Sequence, residues 1–277
     1  MKRRIAPLLL AAVLLASATG LADVKSAGAA RHVEIRGAAT MAALAHAVAE
    51  RFMADHPDAV VTVAGGGAHR GIKSVIVGTA DLGLAGDSVP EEYEKLARDR
   101  NVKLVRNHVY SDALVIVVHP DNPVSDLSLW RLRDIFRGAI TNWKEVGGKD
   151  APIAVISHEG TSGTYETFKQ RVLGDDALVT PKAAQTNLRS FQKSMAKSHD
   201  AISYIGLQQA TGWKPVSIDG VAANADTVRA GRYPIWRKLA VYHLDPPSPL
   251  AKQVLDYFLA PDKGQAVVQS LGDVPVK

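Results

Sequence analysis

Four times along this chain a short apolar, β-branched run gives way to a cluster of small and hydroxyl residues: Gly37–Thr40, Gly65–Gly71, Ala85–Ser88 and Gly160–Thr164. Three of these clusters open onto apolar residues at helical spacing. Met41, Leu44, Ala45, Val48 and Phe52 follow the first, Ile72, Val75 and Ile76 the second, and Phe168, Val172 and Leu173 the last. Strand, small-residue loop and helix make the repeating unit of an α/β fold with a mixed, mostly parallel sheet. Ligands of such sheets gather at the carboxyl ends of the strands, where these loops lie. With 277 residues, 47% of them apolar, the chain can bury a sizeable core, and its length suits one large domain or two ordinary ones. Similar units on both sides of about residue 112 point to two α/β lobes.

The N-terminus has its own logic. Met1-Lys2-Arg3-Arg4 precedes an apolar run from Ile5 to Leu15 and then small residues, and the first acid is Asp23. Basic start, apolar middle and small-residue end make a secretory leader over residues 1–22, with cleavage expected after Ala22 and Ala18 as the other candidate. Without Lys2, Arg3 and Arg4 the 33 basic residues fall to 30 against 28 acidic ones, so the basic balance of the whole chain partly reflects the leader. Basic blocks interleaved with aromatics do not occur, which disfavours a nucleic-acid partner. Cysteine is absent, excluding disulfides, thiolate metal sites and cysteine nucleophiles.

The richest loop is Ser157-His158-Glu159-Gly160-Thr161-Ser162-Gly163-Thr164. A helix start offers unpaired N–H groups to an anion; Ser162 and Thr164 add hydroxyls, and Gly163 permits close approach of a ligand. The plainer alternative is a helix cap with Thr161 or Ser162 as N-cap. His69 and His158, each in a candidate loop, could both face one anion or be surface residues, and Asp87 is either an acceptor for a protonated ligand oxygen or a turn acid. Nucleotide motifs fail: Gly71-Ile72-Lys73-Ser74 carries one residue too many for a P-loop, and the glycines at 65–71 miss the dinucleotide fingerprint. Gly160–Thr164 lacks the last glycine of a nucleophile elbow, and no base can be assigned to Ser162, so the sequence supports a binding protein rather than an enzyme. The nine histidines show no metal-ligand spacing, and neither a metal nor a cofactor is expected.

The loops sit within a longer pattern. It includes Gly71-Ile72-Lys73, Asp81-Leu82-Gly83, His119-Pro120-Asp121-Asn122-Pro123, Thr141-Asn142-Trp143, Ile202-Ser203-Tyr204-Ile205-Gly206 and Gly231-Arg232-Tyr233-Pro234. With Ser162-Gly163-Thr164 it spans nearly all of the chain after the leader, and the chain resembles the periplasmic phosphate-binding proteins of ABC transporters (PstS-like). The resemblance implies a two-lobed periplasmic-binding-protein fold with the ligand cleft at the hinge. The lobes are expected over 31–111 plus 222–277 and over 112–221. It further implies a periplasmic monomer that carries phosphate, or a similar oxyanion or organic phosphate, to an inner-membrane ABC permease; a secreted, non-transport member of the fold is the other possibility. Carried over by position, the ligand set is Ala39, Thr40, Met41, Ala68, His69, Asp87, His158, Ser162, Gly163 and Thr164. Three positions depart from the family pattern. Ala68 replaces a ligand-binding Ser, His158 replaces an Arg, and Gly86 stands at a frequent Ser or Asp position beside Asp87. Histidine lacks the permanent charge and planar fork of arginine.

Overall fold

The computed structural model describes residues 31–174 and 177–276; the expected leader lies outside them. The first lobe starts with the predicted units: β1 (Arg31–Gly37), α1 (Ala42–Asp55), β2 (Ala59–Ala64), α2 (Ala68–Ile76), β3 (Leu82–Gly86) and α3 (Glu91–Asp99). β1 pairs in parallel with both β2 and β3. α1 buries Leu44, Ala45, Val48, Ala49 and Phe52, the stripe its spacing predicts. The chain then enters β4 (Leu104–Val118), which runs through the middle of the molecule.

Beyond it come β5 (Asp126–Leu127), α4 (Leu129–Arg137), β6 (Ala154–His158), α5 (Gly163–Phe168), β7 (Ala184–Thr186), α6 (Phe191–Met195), β8 (Ala201–Gly206), β9 (Lys214–Ile218) and α7 (Ala225–Arg229). α4 shows why such segments stop and start where they do. Ser128 caps its first turn by accepting from the Arg131 N–H, and Gly138 ends it in the left-handed conformation at φ 81°. β10 (Trp236–Leu244) returns to the first lobe, followed by α8 (Pro249–Leu259), α9 (Gly264–Ser270) and β11 (Val274–Pro275).

The main strand order is β2-β1-β3-β10-β4-β8-β6-β7. β4 joins the halves. Its first part pairs with β10 from Leu104 to Ala113, and its last part, Leu114–Val118, pairs with β8. From sequence, Val102–Val109 and Ala113–Val118 read as two strands, because Ser111-Asp112 looks like a break. The strand continues because Asp112 is buried and paired with Arg237 of β10.

Two cores flank this crossover. One gathers Val33, Ile35, Phe52, Leu82, Val241 and Phe258; the other gathers Leu114, Ile116, Phe136, Trp143, Phe168 and Tyr204. In β4 the side chains alternate, Ile116 and Val118 facing one apolar cluster and Val115 and Val117 another. The segment 222–235, expected in the first lobe, places Val228, Tyr233 and Ile235 against the second core. The Tyr233 hydroxyl donates to the Leu114 carbonyl, so the chain changes lobes between Ile235 and Leu239 rather than near residue 222. Among the described residues, no helix is long and apolar enough to cross a membrane.

Candidate functional site

The small-residue loops converge on one cleft of about 350 Å³ between the lobes. Ala38, Ala39 and Thr40 after β1, Gly65–Ala68 after β2, and Gly86 at the end of β3 form one wall. His158 to Thr164 after β6 form the other, with Asn187–Arg189 at the rim and Arg237 at the base. All three loops of the first wall leave carboxyl ends of strands, as does the β6 loop. Gly37 is irreplaceable here: at φ 146°, an added Cβ would lie 2.1 Å from the Leu84 carbonyl oxygen. The lobes nearly touch across the cleft, since a Cβ on Gly163 would come within 3.0 Å of the Ala68 Cβ.

The β6 loop is both a cap and a cleft wall. Ser162 Oγ accepts from the Thr164 N–H at 3.2 Å, the bond of an N-cap, while Ser162, Gly163 and Thr164 all line the cleft. α5 is held to the second lobe by Phe168, whose ring stacks on Tyr204 at 3.9 Å between centroids.

Arg237 belongs to none of the sequence motifs. It is 5% exposed, and its Nε and Nη2 donate to Asp112 Oδ2 at 3.2 and 2.8 Å. Its Nη1 donates to Thr164 Oγ1 at 3.1 Å. Thr164 Oγ1 therefore receives its hydrogen bond from below, which leaves its own proton free for a group in the cleft. Asp112 Oδ1 in turn accepts from the Leu207 N–H. The signal existed in the sequence: Asp112 and Arg237 are charges set within largely apolar stretches, and buried charges of opposite sign need one another. Which strands carry them side by side was not visible. A third buried acid, Asp273, stands near this pair; burial first, then the Asp112 charge, holds its carboxyl well above the usual range, against the pull of Arg237.

His158 lines the cleft but is no cation. Burial lowers its pKa from 6.5 to about 4, outweighing the hydrogen bond to Tyr204. Nε2 lies 3.0 Å from the Tyr204 carbonyl oxygen, which only accepts, so Nε2 carries the proton and Nδ1 keeps a lone pair.

Three residues of the expected set stand elsewhere. Met41 is 1% exposed within the first core, and its N–H is used in a turn to the Ala38 carbonyl. His69 begins α2 but turns to pack edge-on against Tyr93 of α3. Asp87 faces away from the cleft toward β4, where Arg106 and His108 lie 3.1 and 3.2 Å from its Oδ1. Ala39, Thr40, Ala68, His158, Ser162, Gly163 and Thr164 all border the cleft.

Two lobes joined by the crossing strands β4 and β10, with small-residue loops and hydroxyl side chains facing each other over one cleft, define the class of periplasmic-type solute-binding proteins. The sequence matches the PBP superfamily domain over residues 23–262. It is 35% identical to the phosphate-binding protein PstS of Bacillus subtilis over 244 residues, covering 87% of this chain and 80% of that protein. Among solved structures, it is similar to a phosphate ABC transporter substrate-binding protein with bound phosphate from Clostridium perfringens, at TM-score 0.83 and 28% identity, covering 89% of this chain and all of that one. An ABC-type phosphate transport receptor from Vibrio cholerae superimposes with TM-score 0.73 at 25% identity, over 87% and 99% of the two chains. The chain belongs to the PstS family of phosphate-binding proteins within the PBP superfamily.

Proposed function

We propose that this protein captures inorganic phosphate in the interlobe cleft, outside the cytoplasm, and delivers it to an inner-membrane ABC permease. The observation that carries this reading is the Arg237–Thr164 contact. A buried guanidinium, held by Asp112, hydrogen-bonds the Thr164 hydroxyl and so aims a donor into a cleft lined by small residues of both lobes. Arg237 also retains N–H groups beyond those bonded to Asp112 and Thr164. It takes the place of the arginine expected at position 158. The unprotonated Nδ1 of His158 supplies an acceptor, which suits an anion that still carries a proton and favours hydrogen phosphate over sulfate.

Binding proceeds without turnover. Among the described residues, no hydrogen bond pairs the Ser162 hydroxyl with a base: its Oγ accepts from the Thr164 N–H, and His158 Nε2 meets the Tyr204 carbonyl. The protein acts as a monomer with no nucleic-acid partner. Calorimetric titration tests the reading. Thr164→Val removes one neutral donor and is expected to weaken phosphate binding up to about tenfold, for a loss of roughly 0.5–1.5 kcal/mol. Arg237→Met is expected to abolish measurable binding. Wild-type affinity in both variants would show that phosphate sits elsewhere. A second reading, another small oxyanion or an organic phosphate, is favoured by Ala68, which offers no hydroxyl to the cleft. A competition panel with sulfate, molybdate and a phosphomonoester separates the two.

A further inference from the structure

At the end of the second lobe away from the cleft, β4 and β8 lie antiparallel with Val118 opposite Ile202. This register brings the turn after β4 against the turn before β8. His119 and Asp121 stand on the first turn and His199 on the second, and the ligand-type atoms of all three lie within 4.8 Å of one another. The two imidazole rings are 3.9 Å apart between centroids. Both Nδ1 atoms lie 3.5 Å from the same atom, Asp121 Oδ2.

His119 Nδ1 accepts from the Asp121 N–H at 3.2 Å, so in the absence of a metal its one lone pair is held by that hydrogen bond, which a metal ion would replace. The Asp121 carboxylate oxygen stands 3.5 Å from both Nδ1 atoms, with no shorter contact between them. One cation shared among these atoms would join the two rings and the carboxylate by coordination. The spacing fits: with bonds of about 2.0–2.2 Å, two tetrahedral ligand atoms sit roughly 3.4 Å apart.

Both turns are fixed from behind. The Asn122 N–H donates to the His119 carbonyl, and Asn122 Oδ1 accepts from the Val124 N–H. On the other turn the Asp200 carbonyl accepts from the Ala154 N–H and from Trp143 Nε1, while the Asp200 N–H bonds Ser198 Oγ. A small cavity alongside, lined by Asn122, Lys149 and Asp200 among others, leaves room for water as a remaining ligand.

We propose that His119, Asp121 and His199 bind one divalent first-row transition metal, with two imidazole nitrogens and one carboxylate oxygen as protein ligands. The site is separate from the anion cleft. β6 runs from Ala154, level with Ala201 at this end, to His158 in the cleft, a rise of about 13 Å at 3.3 Å per residue. Metal and anion are therefore bound independently.

The test is calorimetric titration of the purified protein with Zn²⁺ in chelator-treated, phosphate-free buffer. Expected is saturable binding of one Zn²⁺, weakened at least tenfold in His199→Ala and in Asp121→Asn. Phosphate affinity, measured separately on the same variants without zinc, should be unchanged. His199 and Asp121 are exposed, and an unaltered melting temperature of the metal-free variants confirms that they fold. Absence of saturable zinc binding in the wild type, or equal zinc affinity in the variants, overturns the proposal.

Discussion

Two buried titratable residues close to the cleft give the stability of the protein opposite pH slopes. His158 is neutral in the folded chain down to about pH 4, whereas in the unfolded chain it titrates near 6.5. As pH falls through that window, the unfolded state binds a proton that the folded state refuses, so stability drops, by about 3 kcal/mol once both values are passed. Asp273 works the other way. Its raised pKa keeps it protonated in the folded chain where the unfolded chain is already ionised, so stability declines as pH rises above the ordinary carboxyl range. Urea unfolding from pH 4 to 9 checks both. His158→Gln is expected to flatten the acid side, and Asp273→Asn to make the protein more stable than wild type near pH 8. Unchanged slopes would mean that neither group is buried as described. At this scale much of the cleft was legible from residue types: Thr40, Ser162, Gly163 and Thr164 stand where their chemistry suggested. Met41, His69 and Asp87 were not, because one position along a turn decides whether a side chain faces ligand, core or a neighbouring strand. Arg237 was hidden for a related reason, as its partner Asp112 is remote in sequence and only the β4–β10 register joins them.

At the scale of elements, the site depends on α5 being anchored and on the lobes being able to meet. Phe168 ties α5 to Tyr204 and is fully buried. Phe168→Ala is expected to cost about 3–5 kcal/mol of stability, as other large-to-small changes of buried aromatics do, and to weaken phosphate binding by loosening the Ser162–Thr164 loop. Chemical denaturation and calorimetry on one preparation would check both effects; intact stability would contradict the packing. Gly163→Val addresses closure. Its side chain would run into Ala68 across the cleft, so affinity should fall at least tenfold while the melting temperature without ligand changes little. The strand–loop–helix units that build both walls were readable because their apolar periodicities are strong. The continuity of β4 was not, since the polar residues at Ser111-Asp112 imitate a turn until the opposing charge is seen beside them.

Across the whole molecule, the separation into two cores on either side of β4 and β10 is what makes a hinge available. The strands cross between lobes at Ala113 and Arg237, which pair with Trp236 and Asp112 in the ladder, and the Asp112–Arg237 ion pair sits at that crossing. Arg237 of this pair also bonds Thr164, so the crossing and the β6 loop are joined by one hydrogen-bond chain. Two lobes could be inferred from the repeated units, but the return point could not, because Val228, Tyr233 and Ile235 have the apolar character of either core. The most direct measurement is calorimetric titration of phosphate into the phosphate-stripped protein, with Arg237→Met in parallel. Saturable binding of one phosphate, retained in excess sulfate and lost in the variant, is the expected result. No heat and no thermal shift with millimolar phosphate, or equal binding by the variant, would contradict an anion site built on Arg237 and Thr164.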